Sequence, residues 1–352
     1  MVLNCDRYGE TKSQCLMNSI NHSMSAKRYK LFIAFTGCLL LFFVYRHSCQ
    51  TGQIVSLLNG SNEKDTLQNQ ETEEKGEWIF VSGEFFRNYA YYFANTTQSA
   101  IKLRDLNISD CSIIFIKPDY LKYLRNFQVK NVKKYILISH DSARSTPTTQ
   151  FKNYLDDKNL VRWFVKNGDV KHPKLTIIPN GVANGIWPHG NQSILYEAWK
   201  FHRKPWKERD INIYVNLDVK TNKNRRKQMN IICQKNELAA DCSTHRLNYS
   251  GYLEELGNSK FVFSPNGSGP DCHRTWESII MGAIPIVEVS PMVSLFDDEN
   301  VIIVKDYQKV TLDLLLDAER KMTHRVVKNS KAFRRHWKPK IEKALEECKR
   351  QI

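Results

Sequence analysis

An α/β fold of parallel strands alternating with helices is what this 352-residue sequence predicts. Three observations carry that expectation. Residues 112–116, 135–139, 161–165, 175–178, 211–217, 261–264, 284–287 and 301–304 are short apolar runs. Most lack the alternation of a half-exposed strand, as suits parallel strands covered on both faces. Polar, partly periodic stretches of helical character separate several of them, among them 120–129 and 312–322. Between 259 and 287 the order is strand, glycine-rich loop, helix, strand, a complete βαβ unit. The length, finally, accommodates two domains.

The loop of that unit holds its chemistry. Asn266, Gly267, Ser268, Gly269 and Pro270 break the chain after the strand, and a helix is expected over 273–281 with Trp276, Ile279 and Ile280 facing inward. Gly282 ends it. Unpaired N–H groups and the dipole at a helix N-terminus favour an anion, typically a phosphate. His273, Arg274 and Glu277 occupy the first turn or so. A planar guanidinium there suits a diphosphate, and a carboxylate one turn later would lie near ribose hydroxyls. The alternative is a simple i,i+3 pair of Arg274 with Glu277 on a solvated face.

The segment FSPNGSGPDCHRTWESIIMGAIPIV resembles the nucleotide-sugar-binding segment of exostosin-like glycosyltransferases and, more distantly, that of α-1,3-fucosyltransferases. Arg274, Glu277, Gly282, Pro285, Ile286 and Val287 carry the resemblance, which is strong over 259–287 and thins outside it. It implies two Rossmann-like domains facing a cleft, the architecture called GT-B, with the donor held mainly by the C-terminal domain. Asn266, Gly267, Gly269, His273, Arg274 and Glu277 then become donor-binding candidates. Related enzymes commonly place a basic residue on the donor diphosphate from the helix after the domain's first loop, where Arg225 and Arg226 stand here. A solvated basic helix end is the other reading of those two arginines.

Composition fits a secretory membrane protein. The net charge of +15 suits anionic partners, and no nucleic-acid-binding signature accompanies it. Residues 31–45, LFIAFTGCLLLFFVY, form an uncharged apolar run with Lys27, Arg28 and Lys30 before it and Arg46 after it. Flanking aromatic and basic side chains extend such a run toward a span, so a single transmembrane signal anchor is expected. A cleaved signal peptide is the rival, but the polar tail before the run is long and no A-x-A site follows. The excess of basic residues in 1–30 places that tail in the cytosol and the remainder in the lumen. Residues 46–77 read as a flexible stem, poor in apolar side chains. Sequons after the anchor at Asn59, Asn95, Asn107, Asn191, Asn248 and Asn266 agree with lumenal residence. Cys233 and Cys242 are close enough to bridge, and no C-x-x-C pair marks a zinc site.

The expected organisation is therefore tail 1–30, anchor 31–45, stem 46–77, an N-terminal acceptor domain 78–190, a donor domain 205–325 and a C-terminal helical segment 326–352. A first strand is expected over 78–81 and a polar linker over 190–209. In the last segment, Pro339 is suited to open a helix at its first position. In the acceptor domain His140 and Asp141 follow a strand's carboxyl end, where doubly wound sheets bind ligands. They could supply a base or hold an acceptor hydroxyl; otherwise Asp141 caps and His140 packs. Glu84 is a further candidate base, and PNGVANGIW at 179–187 a loop crossing toward the second domain. No Asp-x-Asp occurs, so a metal-independent glycosyltransferase is expected, with no cofactor beyond its nucleotide-sugar donor. A glycan or glycoprotein would be the acceptor and a Golgi membrane the location. A GDP-fucose-dependent fucosyltransferase and a catalytically inactive lumenal carbohydrate-binding protein are the alternatives.

Overall fold

The computed structural model describes residues 79–352, except 104, 125–131, 144–145, 147–148, 243–245 and 324–329 and the side chains of 124, 149, 150 and 226. The expected tail, anchor and stem lie outside the described residues. Two parallel five-stranded sheets form the scaffold.

The first sheet holds β1 (Tyr92–Ala94), β2 (Ser112–Ile116), β3 (Tyr135–Ser139), β4 (Leu160–Lys166) and β5 (Leu175–Ile178), in that spatial order. The second holds β6 (Ile211–Tyr214), β7 (Ala240–Asp241), β8 (Ser259–Phe263), β9 (Ile284–Glu288) and β10 (Ile302–Val304), ordered β10-β9-β8-β6-β7. The α-helices are α1 (Gly83–Arg87), α2 (Thr97–Leu103), α3 (Gln192–Phe201), α4 (Arg225–Cys233), α5 (Tyr249–Gly257), α6 (His273–Ile280), α7 (Leu312–Met322) and α8 (Arg334–Lys349).

In the first sheet each strand is added beside the last, so right-handed crossovers put every connection on one face. That face buries Ile114, Ile116, Leu137 and Trp163 against Ala100 and Leu103 of α2. The opposite face, with Ile113, Phe115, Ile136, Ile138 and Phe164, must be covered from elsewhere. Phe80, Phe85 and Phe86 cover part of it; Trp337, Ile341 and Ala344 of α8 cover the rest. The Cys111–Cys348 disulfide and an Arg162–Glu347 ion pair of 3.1 Å pin α8 there. This core continues beneath the second sheet through Leu253, Leu256, Trp276 and Ile280, joining the two halves. In the second sheet β6 lies between β7 and β8, so strand addition reverses direction at the β6/β8 crevice, the topological switch point.

Several sequence expectations are corrected. Residues 79–82 form only isolated bridges, Phe80 to Phe333 and Ser82 to Val182, because Phe80 is drawn into the core against Trp199 and Phe333. The sheet begins instead at β1, too short and exposed to stand out. The expected linker contains α3, whose N-cap Asn191 accepts from Ser193 N–H and Ile194 N–H while Leu195 and Ala198 face inward. Pro339 lies inside α8 rather than at its first position. The sequence 334–338 supplies the first turn ahead of it, with Trp337 buried. The described part of the helix expected over 120–129 is a 3-10 segment, Pro118–Leu124. Cys233 and Cys242 do form a disulfide.

If α8 is what seals the first sheet, its covalent pin should matter. Cys111→Ser with Cys348→Ser should lower unfolding free energy by about 2–4 kcal/mol, measured by urea denaturation. Peptide mapping without reductant should find those two residues joined and Cys272 alkylated.

Candidate active site

The carboxyl ends of both sheets open on one cleft of about 1440 Å³. Its second-sheet wall is built around the β8–α6 loop. Arg225, the first residue of α4, is buried and holds this loop by its backbone. Its Nε donates to Asn266 O (2.7 Å), Nη1 to Asp218 O (3.1 Å) and Thr221 Oγ1 (2.7 Å), and Nη2 to Pro265 O (3.2 Å) and Cys272 Sγ (3.6 Å). All five guanidinium N–H groups are thus used inside the protein. Arg225 is a tie for the loop, neither a solvated helix end nor a free ligand for phosphate. Glycine at 267 permits it, since a Cβ there would lie 2.9 Å from Arg225 Nη2. The Gly267 N–H is also taken, by Gly269 O at 3.0 Å, and Asn266 contributes its carbonyl to the tie. Gly269 brings the loop against the first half: a Cβ would lie 2.9 Å from Asn167 Nδ2 and 3.1 Å from Ala143 O. Arg226 follows in the same helix, its side chain outside the described residues.

Arg274 is differently placed. Nε donates to Asn216 O at 3.1 Å, fixing the guanidinium against the end of β6, while Nη1 is buried with no hydrogen-bond partner among the described residues. A buried unpaired donor is costly unless something else meets it. The N-cap of α6, Cys272, makes no side-chain capping bond; its carbonyl takes Thr275 N–H at 3.2 Å, and no side chain caps the amides of His273 and Arg274 among the described residues. His273 Nδ1 donates to Gly181 O (2.7 Å), across the cleft, with its pKa lowered to about 4 by burial. The imidazole is neutral at physiological pH and joins the halves.

Glu277 does not pair with Arg274 on a solvated face. It is 3 % exposed, and Tyr249 OH and Tyr252 OH donate to its two oxygens at 3.2 and 3.0 Å. Burial raises its pKa to about 7, against the lowering effect of the Tyr252 bond, Arg274 and the Tyr249 bond. Each oxygen keeps acceptor capacity toward the cleft.

On the first-sheet wall the three candidate bases separate. His140 is buried, with Nδ1 2.7 Å from Asp141 N and 3.0 Å from Asp141 Oδ1, to which it donates when Nδ1 carries the proton, and Nε2 3.0 Å from Pro179 O. It packs on Phe86, and with both nitrogens occupied it orients Asp141 rather than meeting a substrate. Glu84 does not line the cleft; it accepts from Gly185 N–H at 3.1 Å and pairs with Arg87 at 3.6 Å. Asp141 does line it. Its Oδ1 accepts from Asn184 Nδ2 at 3.0 Å, and Oδ2 lies 3.7 Å from Arg87 Nη1. Burial works to raise its pKa, but His140, Asn184 and Arg87 together hold the carboxyl well below the usual carboxylate range. The backbone at Asp141 is left-handed, φ 61°, a conformation Asp tolerates better than most residues. Only glycine fits at 83, where a Cβ would lie 2.1 Å from Asp141 Oδ1.

Two charged residues escape the sequence reading. Asp271 is buried and accepts from Asn180 N–H (2.6 Å) and Trp276 Nε1–H (2.7 Å); burial raises its pKa to about 6. Lys166, also buried, donates to Asn180 Oδ1 at 2.8 Å. Burial lowers its pKa, opposed by Asp271 and Asp141. A lysine closing an apolar strand at its carboxyl end was the one available signal for Lys166. Asp271 had none, because its partners come from another loop and from a helix face. Compared with protein-family models and with curated proteins, the chain matches none.

Two outcomes follow from the buried groups. Glu277 takes up a proton on folding between its ordinary pKa of 4.5 and its folded value of about 7, so its contribution to stability falls as pH rises through that window, opposed by His273, which is lowered from 6.5 to about 4 and releases one. Glu277→Gln should remove that falling contribution, on the order of 1–3 kcal/mol, so that stability rises more with pH than in wild type, as read by thermal unfolding from pH 4 to 8. Trp276→Ala should cost about 3–5 kcal/mol, since it empties a fully buried site and removes a donor from Asp271.

Proposed function

We propose that the chain is a glycosyltransferase that moves a sugar from a nucleotide-diphosphate donor to a hydroxyl of a glycan. Its setting would be the lumen of the secretory pathway, as a type II protein held by residues 31–45. The GT-B reading of the two parallel sheets belongs to the same proposal. The observation that carries it is Arg274: an anchored guanidinium whose Nη1 is buried and unpaired among the described residues, beside a helix N-terminus without a side-chain cap, at a topological switch point. A leaving diphosphate would satisfy that donor, and its developing charge would be met by a preorganised cation at no reorganisation cost. Glu277, held between two tyrosines, would take ribose hydroxyls. Asp141, ionised throughout the physiological range, would accept a hydrogen bond from the acceptor hydroxyl and orient its oxygen toward the sugar.

The lowered pKa of Asp141 also favours a second reading. A carboxylate of such low basicity is a weak general base, as in a carbohydrate-binding protein that retains the fold without turnover. Screening UDP- and GDP-sugars against the full chain decides between these. A bound donor in large excess should raise stability by about 2–4 kcal/mol, and a GDP preference would favour a fucosyltransferase. Arg274→Lys keeps the charge and loses the fork, so turnover should fall about a hundredfold or more with the melting temperature unchanged. Wild-type turnover in that variant would remove Arg274 from the site.

A further inference from the structure

The loop at 179–190 enters the assignments above only through Asn180, Asn184 and its backbone, yet it puts large apolar groups on a polar cleft. Ile186 is 75 % and Trp187 54 % exposed, and both line the cavity. Their backbone is tightly built. Trp187 N–H donates to Asn184 O at 3.0 Å and Gly190 N–H to Trp187 O at 2.9 Å. A Cβ at 190 would lie 1.9 Å from Asn184 O, so only glycine closes this turn. Asn184 in turn accepts from Glu84 N–H and donates to Asp141 Oδ1, each at 3.0 Å. One residue therefore indexes the indole of Trp187 to the carboxylate of Asp141. The indole is backed by His189, ring centroids 6.3 Å apart at 22°, and His189 leans on His273 at 6.3 Å. A ladder of rings runs from the rim to the start of α6, and the indole that heads it stays 54 % exposed.

An exposed aromatic face held rigid beside a polar group is suited to a ligand with one apolar and one hydroxylated side. The C–H face of a pyranose is such a surface, and its partly positive hydrogens match the negative face of the indole. We propose that Trp187 is the stacking platform of the acceptor subsite, carrying a pyranose ring while Asp141 takes one of its hydroxyls. This rests on the glycosyltransferase reading for the word acceptor, but not for the saccharide contact itself. A nucleobase is the competing stacking partner. It is disfavoured because the turn that carries Trp187 is fixed through Asn184 to Glu84 and Asp141 on the first-sheet wall, whereas Arg274 and Glu277 would hold the nucleotide end on the second.

The test uses the full chain in detergent micelles. Saturation-transfer NMR would follow methyl β-galactopyranoside, methyl β-glucopyranoside and methyl β-xylopyranoside, and calorimetry would follow UDP and GDP. Trp187→Leu keeps apolar bulk without a π face and should weaken glycoside binding by about tenfold or more. Trp187→Phe should stay within about threefold of wild type. Nucleotide affinity and melting temperature should be unchanged in both. Glycoside binding by Trp187→Leu equal to wild type, or no binding of any of the three by wild type, overturns the proposal. Loss of nucleotide affinity in Trp187→Leu also overturns it, in favour of a base platform. Trp187-dependent glycoside binding in a wild type that takes neither nucleotide leaves the subsite standing and removes the donor reading instead.

Discussion

A sheet whose strands are added one beside the next has a bare side, and the rest of this molecule follows from covering it. Right-handed connections from β1 to β5 all fall on one face. The other face presents Ile113, Phe115, Ile136 and Ile138, which water cannot be left to cover. Helix α8 meets that need, reaching back from beyond the second sheet, and the core it completes is continuous with the packing of Trp276 and Ile280. The cleft is thus defined by apolar packing that lies behind it. The polar groups on its walls need only refine a geometry already set.

Those polar groups divide into ties and open groups, and the division is unequal between residues of the same type. Arg225 and Arg274 are both cations beside the glycine loop, yet the first spends every donor on protein atoms while the second keeps one buried and unmet among the described residues. Asp271 and Asp141 are both carboxylates near Lys166; Asp271 is enclosed and its pKa raised, whereas Asp141 is surrounded by donors and its pKa lowered. Buried charges of opposite sign lying on facing walls resist separation of the halves, because an isolated partner would be left desolvated without compensation.

What could be read from the sequence was whatever depends on neighbours along the chain. Strands β3 and β5 were legible to the residue because their apolar runs are bounded by polar or turn residues. The βαβ unit was legible for the same reason, and with it the placement of His273 and Arg274 at a helix start. Strand β1 was not, since three edge residues with Phe93 exposed have no pattern to show. Phe80 looked like a strand residue because apolar side chains serve sheets and cores alike. In the site, Arg225 and Arg226 were equal candidates for the donor diphosphate, and the use of Arg225 as a tie was invisible because its partners include carbonyls some forty residues away. The enclosure of Glu277 by Tyr249 and Tyr252 was hidden likewise, since it depends on how α5 lies on α6.

The long reach of the Cys111–Cys348 link bears on how the protein is made. The ribosome must add 237 further residues after Cys111 before its sulfur partner exists. Until then β2, β3 and β4 can pair with one another but not hide Ile113, Ile136 and Phe164. The nascent first half is therefore a sheet with one greasy side, the kind of species that aggregates or recruits holdase chaperones. Domain-by-domain folding during synthesis is closed to this topology. The N-terminal half, although made first, is completed last.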